Sequence, residues 1–379
     1  MIVPVRAIQQ WVARRRFCGL SAGRRRRTRR YDAVVALIYC GIDEAGYGPL
    51  LGPLCVGFAA FRVEDWAEGD EAPDLWKRLS AAVCREPGDK RRRVAVDDSK
   101  KLKLANSSVT KHPLHHLERG VLAFMGCLDC GDAATATLPA SDDEFMRAIG
   151  VSLAPECWYS RDGCGAAERG AYPQGSSVDE LAIAANTVKL ALARAGIGVM
   201  RLQAAAVSES AFNELVEAAG TKAAVTESAL VRFLGEVWER DAAVAEGGTD
   251  GVRVVCDRQG GRTQYSGMLA RALPDARVRI VGETPMQSKY ELESVVGARR
   301  KMSVAFKVEA ESAHLPVALA SMIAKLTREV LMARFNRYWC RRIPELKPTA
   351  GYAMDARRWL RDVHEAISPA ERRVLVRRA

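Results

Sequence analysis

Residues 34–42 and 54–63 are almost wholly apolar, and a glycine- and proline-rich link, Gly46-Tyr47-Gly48-Pro49-Leu50-Leu51-Gly52-Pro53, joins them. Short apolar runs bounded by turn residues read as buried strands, so the chain opens strand, turn, strand. Residues 75–84 and 114–124 carry helical periodicity. Ser177-Val178-Asp179-Glu180 is a capping box, and Val178, Leu181, Ala185, Val188 and Leu192 follow at helical spacing, which predicts a helix to about Ala195 that stops at Gly196. Strands are predicted at 199–207, 252–256, 276–281 and 302–308. Helices are predicted at 211–219, 227–240, 265–273 and 316–335. Alternating strands and helices predict an α/β fold with a mixed sheet. Residues 139–176 are rich in Gly, Ser and Asp with little pattern and read as a loop or insertion.

Hydrophobic residues make up 48% of the 379, enough for a sizeable core, and the longest apolar run is about half of what a membrane crossing needs. The net charge of +11 points toward nucleic acid until it is located. Residues 1–30 hold ten arginines and no acid, so the remainder carries only +1. The basicity belongs to an arm, 1–30, that reads as an unfolded extension or an early start codon; phosphate-backbone binding is the alternative. Its composition faintly resembles a transit peptide without the serine enrichment. Residues 31–379 form the folded remainder. Ten cysteines, several inside apolar runs, fit buried thiols in a reducing cytoplasm. Cys127-Leu128-Asp129-Cys130, with Cys157, Cys164 or His112, His115 and His116, is the one zinc possibility, but the spacing matches no common zinc module.

The candidate chemistry lies at strand ends. Gly41-Ile42-Asp43-Glu44-Ala45-Gly46 puts two carboxylates at the end of an apolar strand, Val252-Arg253-Val254-Val255-Cys256-Asp257 repeats the arrangement, and Glu309-Ala310-Glu311-Ser312 follows a third strand. Charges there must be paired, solvated or bound to metal, and the carboxyl ends of strands are where α/β proteins build sites. Each alone is accounted for by a solvated turn. Together they make a cluster plausible that holds hard divalent cations for phosphodiester hydrolysis. The glycines around residue 46 do not fit a dinucleotide fingerprint, and no helix follows them.

Four motifs, in chain order, carry a resemblance. Gly41-Ile42-Asp43-Glu44-Ala45-Gly46-Tyr47-Gly48-Pro49 with Gly52-Pro53 looks like the opening of type 2 ribonucleases H (ribonuclease HII). Asp98-Ser99-Lys100-Lys101-Leu102 is similar to the family's DSKKL segment. Ala320-Ser321-Met322-Ile323-Ala324-Lys325-Leu326-Thr327-Arg328-Glu329 resembles its ASILAKVTRD helix, and Gly351-Tyr352-Ala353-Met354-Asp355 its GYPSD-like segment. The resemblance covers about half of the chain, near residues 36–103 and 252–366. It implies a ribonuclease H-like mixed sheet flanked by helices, with a C-terminal helical substrate-binding part from about 315 to 379.

It also implies a four-carboxylate site for Mg²⁺ or Mn²⁺ made of Asp43, Glu44, Asp257 and Glu311, the last counted back from Ser321, with Glu309 as the alternative. Glutamate in this place resembles the type 3 branch. Gly46, Tyr47, Gly48, Lys100, Lys101, Ser321, Lys325 and Tyr352 are the implied substrate contacts, Tyr352 by stacking on a sugar, and Glu329 is expected to support the site from behind. On the helix, Ser321, Lys325 and Arg328 or Glu329 share a polar face, opposite a buried stripe of Leu319, Met322, Ile323, Leu326 and Val330.

The implied activity is hydrolysis of the RNA strand of RNA/DNA hybrids to 5′-phosphate and 3′-hydroxyl ends by a monomeric, non-membrane enzyme. The alternative is an altered protein of this fold that binds structured nucleic acid or cuts another one. Two departures stand out. Tyr47 replaces the arginine of the family's GRG triplet, which bears on cleavage at single ribonucleotides, and the segment of about 139–250 exceeds what a minimal enzyme needs.

Overall fold

The structure is a computed structural model that describes residues 35–67, 69–128, 138–152, 156–159, 172–243 and 251–378. The described residues fall in one compact unit, Val34–Ala379. The arginine-rich arm, Asp129, Cys130 and Cys164 lie outside them.

In chain order the elements are β1 (Val35–Ala45), β2 (Leu54–Trp66), α1 (Leu75–Arg78), β3 (Val83–Cys84), β4 (Val94–Ala95), α2 (Ser99–Leu102), α3 (His115–Met125), α4 (Asp142–Ala148) and α5 (Val178–Arg194). There follow β5 (Ile197–Val207), α6 (Glu209–Ala219), α7 (Ala223–Arg240), β6 (Gly251–Asp257), α8 (Ser266–Ala272), β7 (Ala276–Glu283), β8 (Gln287–Ser294), β9 (Lys301–Lys307), α9 (Leu315–Arg342), α10 (Ala353–Asp362) and α11 (Pro369–Leu375). Seven strands form one sheet in the order β5-β2-β1-β6-β9-β8-β7. The central three, β1, β6 and β9, run parallel, while β2, β5, β7 and β8 pair antiparallel to their neighbours. This is the mixed α/β sheet flanked by helices that the sequence predicts.

Alternation along β1 divides two cores. Leu37 and Tyr39 face the layer of α3, α5 and α9, whereas Ile38, Cys40 and Ile42 face α7 and α8. Asp43 therefore falls on the α9 side with Tyr39 and Gly41. That side is crowded: an added Cβ at Gly41 would stand 2.1 Å from the Pro316 carbonyl carbon, and one at Gly57 2.0 Å from Ala320 O. The helix lies almost directly on the backbone of β1 and β2, and only glycine permits it.

Several elements differ from expectation. The helix predicted for 75–84 ends at Arg78, because Val83 and Cys84 pair in parallel with Val94 and Ala95. β8 was not predicted: its buried Ser288, Tyr290 and Leu292 alternate with Lys289, Glu291 and Glu293, a half-buried strand whose polar face hid it. Within the stretch read as a loop, Ser141 caps α4 by accepting from the Glu144 N–H. The long segment of 139–250 supplies β5, which pairs with β2, and α7, which packs beneath the sheet. Helix α9 runs on to Arg342 because Phe335 and Trp339 bury with Trp359 of α10.

Gly41→Ala is expected to cost about 1–3 kcal/mol of stability, since two backbones would have to part. Gly198→Ala in β5, where an added Cβ meets nothing within 4 Å, should change little. Urea unfolding of the two variants checks the contrast.

Candidate active site

Parallel pairing of β1 with β6 sets Ile42 beside Cys256, so Asp43 and Asp257 leave the sheet together at its carboxyl edge. β9 joins β6 with Lys307 opposite Asp257. The chain then turns through a short 3-10 helix, Ala310–Ser312, whose Ala310 N–H donates to Asp257 Oδ1 at 3.0 Å. This turn brings Glu311 to Asp257, whereas Glu309, in a left-handed backbone conformation, is exposed. From above, α9 delivers Ser321, which is buried, donates to Ser99 Oγ at 3.0 Å at the start of α2 and lies close enough to Asp43 to favour its ionised form. The acids thus come from three separated segments and meet under one helix.

Their electrostatics follow from that crowding. Burial, then the charges of Glu44 and Asp257, holds the Asp43 carboxyl well above the usual range, although Ser321 and the Glu44 N–H, 2.7 Å away, oppose the shift. Burial and Asp257 push Glu44 up to about 7, against a pull from Lys100. Asp257 is raised by burial, with Lys100 again opposing. Glu311 is raised by burial, then by Asp257 and Asp98. Carboxylates that disfavour one another's ionised form are an arrangement a divalent cation would stabilise. Asp98 was missed as a contributor, although it lies inside a recognised motif; its local role is to cap α2 by accepting from the Lys100 N–H at 3.0 Å.

The link between β1 and β2 forms the adjoining wall. Gly46 and Gly52 have φ of +90° and +83°, which glycine supports without strain. Buried Arg328 donates to Pro53 O, to Leu51 O at 3.1 Å and to Ala350 O at 3.2 Å. Buried Arg377 donates to Gly46 O at 2.6 Å and Tyr47 O at 2.9 Å, and Glu209 accepts from the Gly52 N–H at 2.9 Å. With the carbonyls held from behind, the Tyr47 and Gly48 N–H groups have no partner among the described residues. Leu50 and Leu51 N–H donate to Gly351 O, which fixes half-exposed Tyr352 against the same wall, with Lys325 Nζ 5.9 Å and the Arg328 guanidinium carbon 6.0 Å from its ring centre. Arg377 and Glu209 carried no signal in the sequence: one lies among C-terminal arginines and the other in a helix of ordinary pattern.

The remaining expected residues divide. Lys100 is exposed and close enough to pull on Glu44 and Asp257, while Lys101 instead pairs with Asp97 at 3.5 Å. The polar face of α9 is not solvated. Ser321, Lys325 and Arg328 are buried, and Glu329 pairs with Lys325 at 2.8 Å rather than touching the acids. Cys127 donates to Ala123 O and Ala185 O and His115 contacts Gly175 O, so these take up structural contacts.

No protein-family model and no curated protein matches the chain. Among solved structures it is similar to the ribonuclease HII of Archaeoglobus fulgidus, seen in complex with PCNA, at 15% identity over 90% of this chain and 94% of that one, with a TM-score of 0.40. It is similar also to ribonuclease H2 of Pyrococcus horikoshii OT3 (14%, 90% and 93%, TM-score 0.35) and to Bst-RNase HIII in complex with Mn²⁺ (14%, 95% and 74%, TM-score 0.36). These are type 2 and type 3 ribonucleases H, the family that the four motifs resemble. Likeness at this level says nothing of chemistry, which must come from the chain's own residues.

Arg377→Met should lower stability by on the order of 2–3 kcal/mol, because three carbonyls of the link, those of Gly46, Tyr47 and Gly52, lose a donor in a buried place. Hydrogen exchange is expected to rise first in the link between β1 and β2. A second expectation concerns pH. Glu44 titrates near 7 in the fold and near 4.5 when unfolded, so the fold binds the extra proton between these values and loses stability as pH rises through them. Asp43→Asn removes a carboxyl that burial holds well above its usual range, so without divalent ions it should raise stability at pH 8 and lessen the total fall of stability with pH, while the part owed to Glu44, set by burial and Asp257, persists. Glu209, also pushed by burial to about 7, contributes equally to both proteins and drops out of the difference.

Proposed function

We propose that the protein is a divalent-metal-dependent endonuclease of ribonuclease H type that hydrolyses the RNA strand of RNA/DNA hybrids, leaving 5′-phosphate and 3′-hydroxyl ends. The observation that carries this reading is the convergence of Asp43, Glu44, Asp257 and Glu311 at the carboxyl edge of the parallel strands, each raised by burial and all but Asp257 by neighbouring carboxylates as well. A cluster of that kind costs stability unless something cationic uses it.

The donor set suits Mg²⁺ or Mn²⁺: all hard oxygens, one of them, Glu311 Oε2, buried with no hydrogen-bond partner. Among the described residues no three His, Cys, Asp or Glu side chains stand as a metal-holding group, so the four acids would have to draw closer to hold an ion. Asp43 and Asp257 would hold the metal, with Glu44 and Glu311 completing its surroundings. When bound, the ion supplies activation of water and charge neutralisation at the phosphate.

The chain's own residues do the rest. Ser321, held by Ser99, favours the ionised Asp43 carboxylate. Exposed Lys100, beside Glu44 and Asp257, meets the negative charge of the strand to be cut. Free N–H groups at Tyr47 and Gly48 can donate to a 2′-hydroxyl, which distinguishes RNA from DNA, and the flat face of Tyr352 accepts a sugar or base. Tyr47 itself, 39% exposed, offers a ring where the family has a guanidinium, so long hybrids are the favoured substrate over single ribonucleotides. Among the described residues no helix is long and apolar enough to cross a membrane, and the described cysteines are all free thiols, which suits a cytoplasmic location.

The deciding measurement is cleavage of a labelled continuous hybrid and of a DNA duplex with one ribonucleotide, with Mg²⁺ or Mn²⁺. Wild type should cut the hybrid faster, and Asp43→Asn and Asp257→Asn should each lose at least about a thousandfold, the scale of removing a major charge-stabilising group. If wild type binds the hybrid but cuts neither duplex with either ion, the protein is a binding protein on a nuclease fold.

A further inference from the structure

A second concentration of charge, of opposite sign, lies at the other end of β4. Asp98 and Ser99 follow that strand into the acid cluster; Arg91, Arg92 and Arg93 precede it. With Lys111, ahead of α3, and Arg119, within it, these arginines line a cleft of about 600 Å³. Two carboxylates, Asp89 and Glu180, share the cleft, and both are engaged. Asp89 takes Arg93 through two hydrogen bonds, Nη2 to Oδ1 at 2.8 Å and Nε to Oδ2 at 3.2 Å. Glu180 is occupied in the capping box of α5.

Arg119 gives its donors to neutral oxygens, Arg93 O at 2.8 Å and Arg92 O at 2.6 Å, and its charge is offset only through space, by Glu180 and Asp89. That contact holds Arg92 in a left-handed backbone conformation, φ +58°. The side chains of Arg91, Arg92 and Lys111 are exposed and have no carboxylate partner among the described residues. The first turn of α3 brings His115 and His116 to the same space, while its Leu114 and His115 N–H groups are taken by His112. His116, more than nine-tenths buried, lines the cleft with no hydrogen-bond partner among the described residues. Burial chiefly, and then the charges of His115, Lys111 and Arg119, lower its ring to about 4, so it stays neutral and can donate one N–H.

We propose that this cleft is a binding site for a phosphate group, held by Arg91, Arg92 and Lys111, with His116 as an additional donor. The phosphate belongs either to a nucleic-acid backbone, which rests on the nuclease reading, or to a free phosphorylated molecule, which does not. Five cationic side chains against two carboxylates around a nucleotide-sized space are to an oxyanion what the acid cluster is to a metal.

The test uses the full chain and the triple variant R91Q/R92Q/K111Q, whose changes are all at exposed positions. Thermal melting with inorganic pyrophosphate in metal-free buffer reports the site by itself. Anisotropy of a labelled RNA/DNA hybrid, with Ca²⁺ in place of Mg²⁺, reports the backbone. If the backbone is the source, the variant binds the hybrid about tenfold more weakly and its salt dependence shallows by about one unit per lost contact. If hybrid binding is unchanged while the pyrophosphate-induced rise in melting temperature disappears, a free phosphorylated molecule is the ligand. If neither readout differs between wild type and variant, the proposal is overturned. Because the pyrophosphate arm needs neither hybrid nor cleavage, failure of the nuclease reading leaves it interpretable.

Discussion

The contact on which the molecule depends is the seating of α9 on the backbones of β1 and β2. Side chains normally hold a helix off the backbone of a sheet; here Gly41 and Gly57 remove them, and the backbones of Pro316 and Ala320 come into direct contact with the strands. The first consequence is local, in that Ser321 reaches Asp43. The second reaches further along the helix, where Arg328 arrives beneath the link between β1 and β2 and grips three carbonyls. A larger residue at either glycine would lift the helix and separate the acids from the groups that orient them.

The loop beside the acids illustrates how an irregular backbone is kept rigid. Its carbonyls are turned inward to two buried guanidiniums and one of its amides to a buried carboxylate, each from a different part of the chain. Such buried charges are costly individually, and here Arg377, which burial and neighbouring Arg328 lower to about 10, and Glu209 stand in the same interior. The arrangement secures a single conformation. The Tyr47 and Gly48 amides stay without a partner among the described residues, at exposed positions.

Opposed charge clusters at the two ends of β4 give the protein its electrical pattern. Outside its arginine-rich arm the chain is almost neutral, so the pattern comes from segregation rather than net charge. Carboxylates gather where parallel strands end, and guanidiniums gather where the chain leaves β3 and enters β4.

Local signals in the sequence determined the strands that are apolar throughout, the capped helix α5, the α/β class and the residues that end β1 and β6 in acid, because each depends on neighbours within a few positions. β8 escaped because one face of it is polar, and the strand pair β3 and β4 escaped because two residues each are too short to show a period. Motif resemblance reached further, naming Glu311 and Ser321 before any contact was known. What tertiary structure alone decided was proximity: that Glu311 rather than Glu309 turns toward Asp257, that Lys101 is drawn off to Asp97 while Lys100 remains, and that Arg377 closes a loop some 330 positions away. Those outcomes depend on strand register and on the depth at which α9 sits, quantities set by packing between distant segments, which a linear pattern of residues does not encode locally.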